Sequence, residues 1–187
     1  MHLSEEKSQL RDSIKQRMSR LSPKTREAEE RSLLKRIKEL LGDAPKTIAA
    51  YIPLTDEVDI RPLLTELLKN GWNLFLPRFE GGKLAFRRAE KITGLTPGQF
   101  GIPEPSLSSA LLKPEELDVV LVPGRAFTKE GQRMGRGNGG YDIWIRAQRN
   151  LNPKTQFWGV ALECQVLERI PVEPHDEAVD QVLTARS

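Results

Sequence analysis

The stretch RMGRGNGGYD, residues 133–142, sets four glycines in the six positions 135–140, with Arg133 before them, Arg136 among them and a Tyr-Asp pair after them. Bare backbone beside guanidinium groups suits an oxyanion. Successive N–H groups can approach it closely, and Arg133 and Arg136 add forked, permanently charged donors. Gly135 to Gly140 also spells G-x-G-x-x-G, the letters of a dinucleotide fingerprint. That reading requires a strand directly before the motif. Here the preceding apolar run ends near Val122, about ten residues earlier, so the reading is set aside. No Gly-Lys-Ser/Thr closes the stretch, which excludes a P-loop. Two readings remain on these residues alone: a phosphate cradle at a helix N-terminus, or an exposed loop with solvated arginines. Asp142 opens the expected helix. It either complements the helix dipole or, beside bound phosphate, gives a carboxylate to Mg²⁺.

Three further clusters hold charged groups. At helical spacing, Leu3, Leu10, Ile14 and Leu21 centre one face of an N-terminal segment, with Lys7 in the middle of the stripe and Arg11 at its edge. Either the two cations snorkel, or the helix presents them to an anion in a cleft. YIPLTDEVD (51–59) places Asp56 and Glu57 after a strand, where open α/β sheets gather ligand groups; Asp59 reads as a helix cap. EPHDEAVD (173–180) brings His175 close to Asp176, but no nucleophile motif accompanies them and the spacing gives no metal-binding pattern. Cys164 is the single cysteine and reads as structural.

The elements that must position these groups follow from periodicity. Helices are expected over 4–20 and 24–41, the second ended by Gly42 and Pro45. A strand over 46–53 leads to a helix that begins near Asp59 and Pro62 and ends at Gly71. Strands follow at 72–77 and 81–89, then a Pro-, Gly- and Ser-rich loop over 91–117. A buried strand at 117–123, a helix over about 139–150, and strands at 155–163 and within 178–184 complete the chain. Alternating strands and helices predict an α/β fold: one domain over 1–187, with a mostly parallel central sheet and helices on both faces. The 187 residues are 38% apolar, which suits one core. A net charge of +3 from well-mixed residues does not point to nucleic acid. No apolar run reaches the roughly 20 residues of a membrane span, and the charged N-terminus lacks a signal-peptide core. The expected setting is cytoplasmic, without membrane or nucleic-acid partners.

Taken in order, K-x-x-x-R (7–11), the strand into DEVD, LPR (76–78), GIPEP (101–105), VLVPGRAFTKEGQRMGRGNGGYD (120–142) and VDQVLT (179–184) resemble the 5-formyltetrahydrofolate cyclo-ligase family, also called methenyltetrahydrofolate synthetases. The resemblance spans nearly the whole chain, and 120–142 is its most specific part. It implies an ATP- and Mg²⁺-dependent ligase that converts 5-formyltetrahydrofolate to 5,10-methenyltetrahydrofolate; a monomer is expected, although the sequence itself does not give oligomeric state. Lys7 and Arg11 match the family's N-terminal ATP contacts. Arg133, Met134, Gly135, Arg136, Gly137, Asn138, Gly139, Gly140 and Tyr141 match its ATP loop. Lys7 and Arg136 would act in catalysis, and Asp142 and Asp180 would hold Mg²⁺. Ile52, Glu57, Phe100 and Tyr141 would meet the folate. One position departs from the pattern. The family usually has two aromatics before the aspartate, and here Gly140 replaces the first. That loss predicts a weaker folate wall and leaves the nucleotide side intact.

Overall fold

Helical periodicity governs the first forty residues. In the computed structural model, which describes residues 3–186 and, for Phe100, the backbone alone, α1 (Leu3–Ser19) and α2 (Pro23–Leu41) form in sequence. Ser22 caps α2, accepting the Thr25 N–H at 3.1 Å, with Pro23 in the first turn. Ile14 is fully buried, which contributes about 1.5–3 kcal/mol and fixes the inward face of α1. Lys7, two turns earlier, is therefore on the buried face as well, and is itself buried.

The strands are β1 (Thr47–Ala49), β2 (Asn73–Glu80), β3 (Lys83–Arg88), β4 (Thr96–Pro97), β5 (Pro103–Glu104), β6 (Val119–Val122), β7 (Ala126–Thr128), β8 (Arg133–Met134), β9 (Gln156–Val160), β10 (Val166–Leu167) and β11 (Gln181–Leu183). Helix α3 (Arg61–Lys69) joins β1 to β2, and α4 (Gly140–Leu151) precedes β9. The main sheet runs β11-β9-β6-β1-β2-β3. All its pairings are parallel except β2–β3. That hairpin turns on Gly81 and Gly82 at φ +55° and +78°, the positive values a type I′ turn requires at both positions. The region expected to be a plain loop, 91–117, carries the short β4–β5 pair and two 3-10 turns.

Each strand divides its side chains between two faces. Ile48, Leu74, Leu76, Val119 and Leu121 join Ile14, Leu33, Ile37 and Leu64 from α1, α2 and α3. Ala49, Phe75, Val120, Val122 and Phe157 join Ile145 of α4, together with Phe86 and Phe127. Helices therefore cover both faces of a mostly parallel sheet. Along the parallel strands, the second lies outside the first while the third, fourth and fifth extend from the other side. This order reverses between β1 and β6, and open sheets of this kind bind ligands at the carboxyl ends of the strands at such a point.

Candidate functional site

A cleft of about 700 Å³ opens at that reversal. Tyr51 and Ile52 follow β1 into it, and Pro123 and Gly124 follow β6. α1 supplies Lys7 and Arg11, and the segment from Arg133 to Asp142 supplies every residue but Gly140. Residues separated by more than a hundred positions thus share one wall.

The glycine segment begins in β8 and ends as α4. Gly139, at φ +66°, is the N-cap residue and has no side chain to cap the helix. The first-turn N–H groups have no carbonyl inside the helix, and the N-terminus carries partial positive charge. Gly140 N–H is taken by Asn138 Oδ1 at 3.3 Å. Gly137 has φ +100°, and a Cβ there would lie 3.2 Å from the Arg11 guanidinium. Arg11 Nε donates to Gly135 O at 3.0 Å, tying α1 to the loop. These glycines do two things: they permit the backbone angles and they let the arginine pass close by.

Lys7 Nζ bonds to Glu173 Oε2 at 2.7 Å and Asp176 Oδ2 at 2.6 Å. Burial pulls the lysine's pKa down, but the bonds and charges of Asp176 and Glu173 outweigh it, and the net shift is upward. At Asp176, burial pushes the carboxyl up, while Lys7 and the Glu173 N–H bring it below the ordinary value. His175 lies beside them at the rim; Glu173, His175 and Asp176 are within 4.8 Å of one another.

Arg133 lines the cleft but is only 3% exposed. It donates to Asp142 Oδ1 at 2.7 Å and to Pro123 O at 3.2 Å. Its guanidinium is therefore engaged in holding Asp142. The Glu177 N–H also donates to Asp142 Oδ1, at 3.0 Å, so the turn carrying Asp176 lies directly against Asp142. Asp180 is elsewhere. It precedes β11, accepts the Phe157 N–H at 2.7 Å and pairs with Arg149 at 3.2 Å, at the amino ends of β9 and β11. The cleft is at the carboxyl ends. The structure does not bring Asp180 together with Asp142: four residues of chain carry it to the far end of the strands, and Asp176 is the acid that lines the cleft.

The opposite wall holds Glu57, which is buried. Its Oε2 accepts the Leu54 N–H at 3.0 Å and its Oε1 accepts Arg136 Nε at 3.2 Å. Arg136 also donates to Asp56 Oδ1 at 2.6 Å, and Asp56 pairs in addition with Arg125. The acids after β1 are therefore not unpaired. Ile52, Pro77, Phe79, Leu84, Ile102 and Met134 give this side an apolar surface. Phe100 falls within the 3-10 turn Gln99–Gly101; its side chain is outside the described residues. At Gly140 the Phe79 ring stands 3.4 Å from where a Cβ would begin, so another aromatic already covers that position. The Tyr141 hydroxyl is buried and makes no hydrogen bond within the protein. Burial, then the charge of Glu57, hold its pKa far above the usual value, so it faces the cleft as a neutral donor.

Sequence reasoning missed Asp176, Glu173, Phe79 and Arg125. EPHDEAVD signalled a cluster, but the string does not show which of its acids face inward.

Comparison with known proteins fits this geometry. The model of the 5-formyltetrahydrofolate cyclo-ligase family matches residues 3–185. The 5-formyltetrahydrofolate cyclo-ligase of Mus musculus is 32% identical over 189 residues, covering 93% of this chain and 91% of its own. That of Escherichia coli (strain K12) is 34% identical over 142 residues, covering 74% and 77%. The NMR structure of Aquifex aeolicus 5,10-methenyltetrahydrofolate synthetase superposes with a TM-score of 0.83 at 35% identity, covering 97% of this chain and 90% of that one. The chain belongs to the 5-formyltetrahydrofolate cyclo-ligase family.

Proposed function

We propose that this family member uses the cleft at the β1–β6 reversal to convert 5-formyltetrahydrofolate to 5,10-methenyltetrahydrofolate, with ATP becoming ADP and phosphate. One observation carries the reading. A glycine loop at a helix N-terminus, two cations from α1 and an apolar wall with a buried acid meet in a single cavity of about 700 Å³. That is room for a phosphate chain at one end and a flat heterocycle at the other.

The formyl oxygen attacks the γ-phosphorus of ATP, and ADP leaves. N10 of the folate then attacks the activated formyl carbon, and phosphate departs with the N10 proton as the ring closes. Phosphoryl transfer of this kind relies on positioning and charge stabilisation. The α4 N-terminus and the loop N–H groups cradle phosphate oxygens. Lys7 and Arg11 hold the outer phosphates, and Arg136 stabilises the phosphoryl group in transfer. Glu57 accepts a hydrogen bond from the folate ring, Ile52 and Phe79 pack on it, and Tyr141 lies between the two substrates.

Oxygen ligands at the cleft fit Mg²⁺. Both bonds made to Asp142 fall on Oδ1, and Asp176 is in the adjoining turn. These two carboxylates would hold the ion, which when bound offsets phosphate charge. The reading keeps the expected monomer and cytoplasmic setting. Among the described residues no helix is long and apolar enough to cross a membrane.

The test is direct. The protein is mixed with 5-formyltetrahydrofolate and MgATP, and the absorbance of the methenyl product is followed. Product forms with the wild type, and Arg136→Ala cuts turnover about 100-fold or more. Absence of product at high enzyme concentration overturns the reading; full turnover by Arg136→Ala removes the loop from the transfer step.

A further inference from the structure

Arg136 is expected to meet phosphate, yet in this structure its guanidinium is held by carboxylates on the folate side of the cleft. One of these, Glu57, has a place in the proposed chemistry. The other, Asp56, has none so far. It sits between two guanidinium groups, Arg136 on Oδ1 at 2.6 Å and Arg125 on the other oxygen.

Arg125 does not line the cleft, and its backbone is fixed. Its N–H donates to Met134 O at 2.7 Å and its carbonyl accepts from Gln165 at 3.2 Å. Its side chain is only 14% exposed. Arg125 is thus an anchored cation. Asp56 stands on a short connection after β1, and the anchor orients its carboxylate. Arg136 is the less anchored partner: a long side chain on a loop with glycines on either side, 36% exposed. Left alone, it would sample many rotamers, each lost on binding. Burial pushes the Asp56 carboxyl up, but Arg125 and then Arg136 bring it below the ordinary value, so it is charged at neutral pH.

We infer that Asp56, clamped by Arg125, is a positioning residue that keeps the Arg136 guanidinium in the cleft, ready for the nucleotide phosphates. The charge of Asp56 is divided between two cations, so its hold on Arg136 is weaker than that of an undivided pair. Incoming phosphate can therefore take Arg136 over, while Arg125 remains to keep Asp56 paired. The preorganisation lowers the ordering cost of the phosphate contact. This inference rests on the reading that Arg136 contacts phosphate.

The experiment measures binding of a non-hydrolysable ATP analogue with Mg²⁺ by calorimetry, together with the folate KM and the melting temperature. Asp56→Asn keeps the side chain's shape and removes its charge. It should weaken analogue binding about tenfold, with the folate KM held within about twofold. Arg125→Met, acting from outside the cleft, should weaken it in the same direction. The deciding step repeats both changes in an Arg136→Ala background. There neither should weaken analogue binding further, because nothing is left to position. A purely structural role would give the same loss in both backgrounds. Undiminished losses in the Arg136→Ala background, or an unchanged analogue affinity in both single variants, overturn the inference. If Arg136→Ala itself leaves turnover and analogue binding intact, the phosphate role of Arg136 fails and this inference falls with it. A crippled Arg136→Ala beside silent Asp56→Asn and Arg125→Met overturns the positioning role alone.

Discussion

Removing the charge of Arg133 should cost stability before it costs anything else. In Arg133→Met the pair with Asp142 is lost, while an unbranched apolar chain fills most of the same space. The two side chains are 2% and 13% exposed and 2.7 Å apart. Deleting one partner of a buried pair costs about 3–5 kcal/mol, because the other charge stays buried. Asp142 keeps the Glu177 N–H and some access to water, so the low end applies, about 3 kcal/mol. For a domain of this size each kcal/mol moves the melting temperature by about 2–4 °C, which gives a fall of about 6–12 °C. Circular dichroism melts and calorimetry measure it. The argument has a second, sharper consequence. If the cost is a stranded carboxylate, neutralising it must help. Arg133→Met with Asp142→Asn should therefore melt above Arg133→Met alone. A single variant within about 2 °C of wild type, or a double variant showing the simple sum of two losses, refutes the reasoning.

Asp176→Asn should raise the Mg²⁺ concentration needed for half-maximal turnover, about tenfold, while Asp180→Asn leaves it unchanged; a metal titration of the two variants decides between the turns. Phe79→Ala should raise the folate KM about tenfold through lost apolar surface, and adding Gly140→Tyr should recover part of it, since a side chain at 140 enters the space the Phe79 ring leaves; steady-state kinetics with no recovery would separate the two positions. Acid unfolding tests Asp56. Its folded pKa lies below the ordinary 3.8, so its contribution is complete above that value and is lost as pH falls through the lowered folded value. The stability gap between wild type and Asp56→Asn should be flat from about pH 5 to about pH 8 and close in stronger acid, as read by denaturant titration at each pH.

The helices were legible because their apolar residues recur at helical spacing, and Ser22, Pro23 and Gly42 mark ends that local chemistry alone requires. The core strands were legible for the same local reason. Val119 to Val122 form a continuous apolar run that only a doubly covered strand needs. Lengths were less so: β1 stops at Ala49, although apolar residues continue to Ile52, because the chain there leaves its neighbours to enter the cleft. The short β7–β8–β10 sheet left no clear mark, since two or three residues are too few to show a period.

For the site, the sequence by itself determined the kinds of group present: bare backbone with guanidinium groups, cations on the inner face of α1, acids after one strand and an acidic string before the last. Those follow from residue type and from spacing within one element. It did not determine partners. That Lys7 meets Asp176, that Arg136 reaches across to Asp56 and Glu57, and that Phe79 stands over Gly140 depend on strand order and on which end of the sheet each loop leaves from. Asp176 and Asp180 show the difference most plainly. They are four residues apart in one acidic string, yet one lines the cleft and the other caps strands at the opposite end of the sheet. An extended segment advances about 3.3 Å per residue, so a few residues are enough to leave a site, and only the packed sheet decides which acid stays.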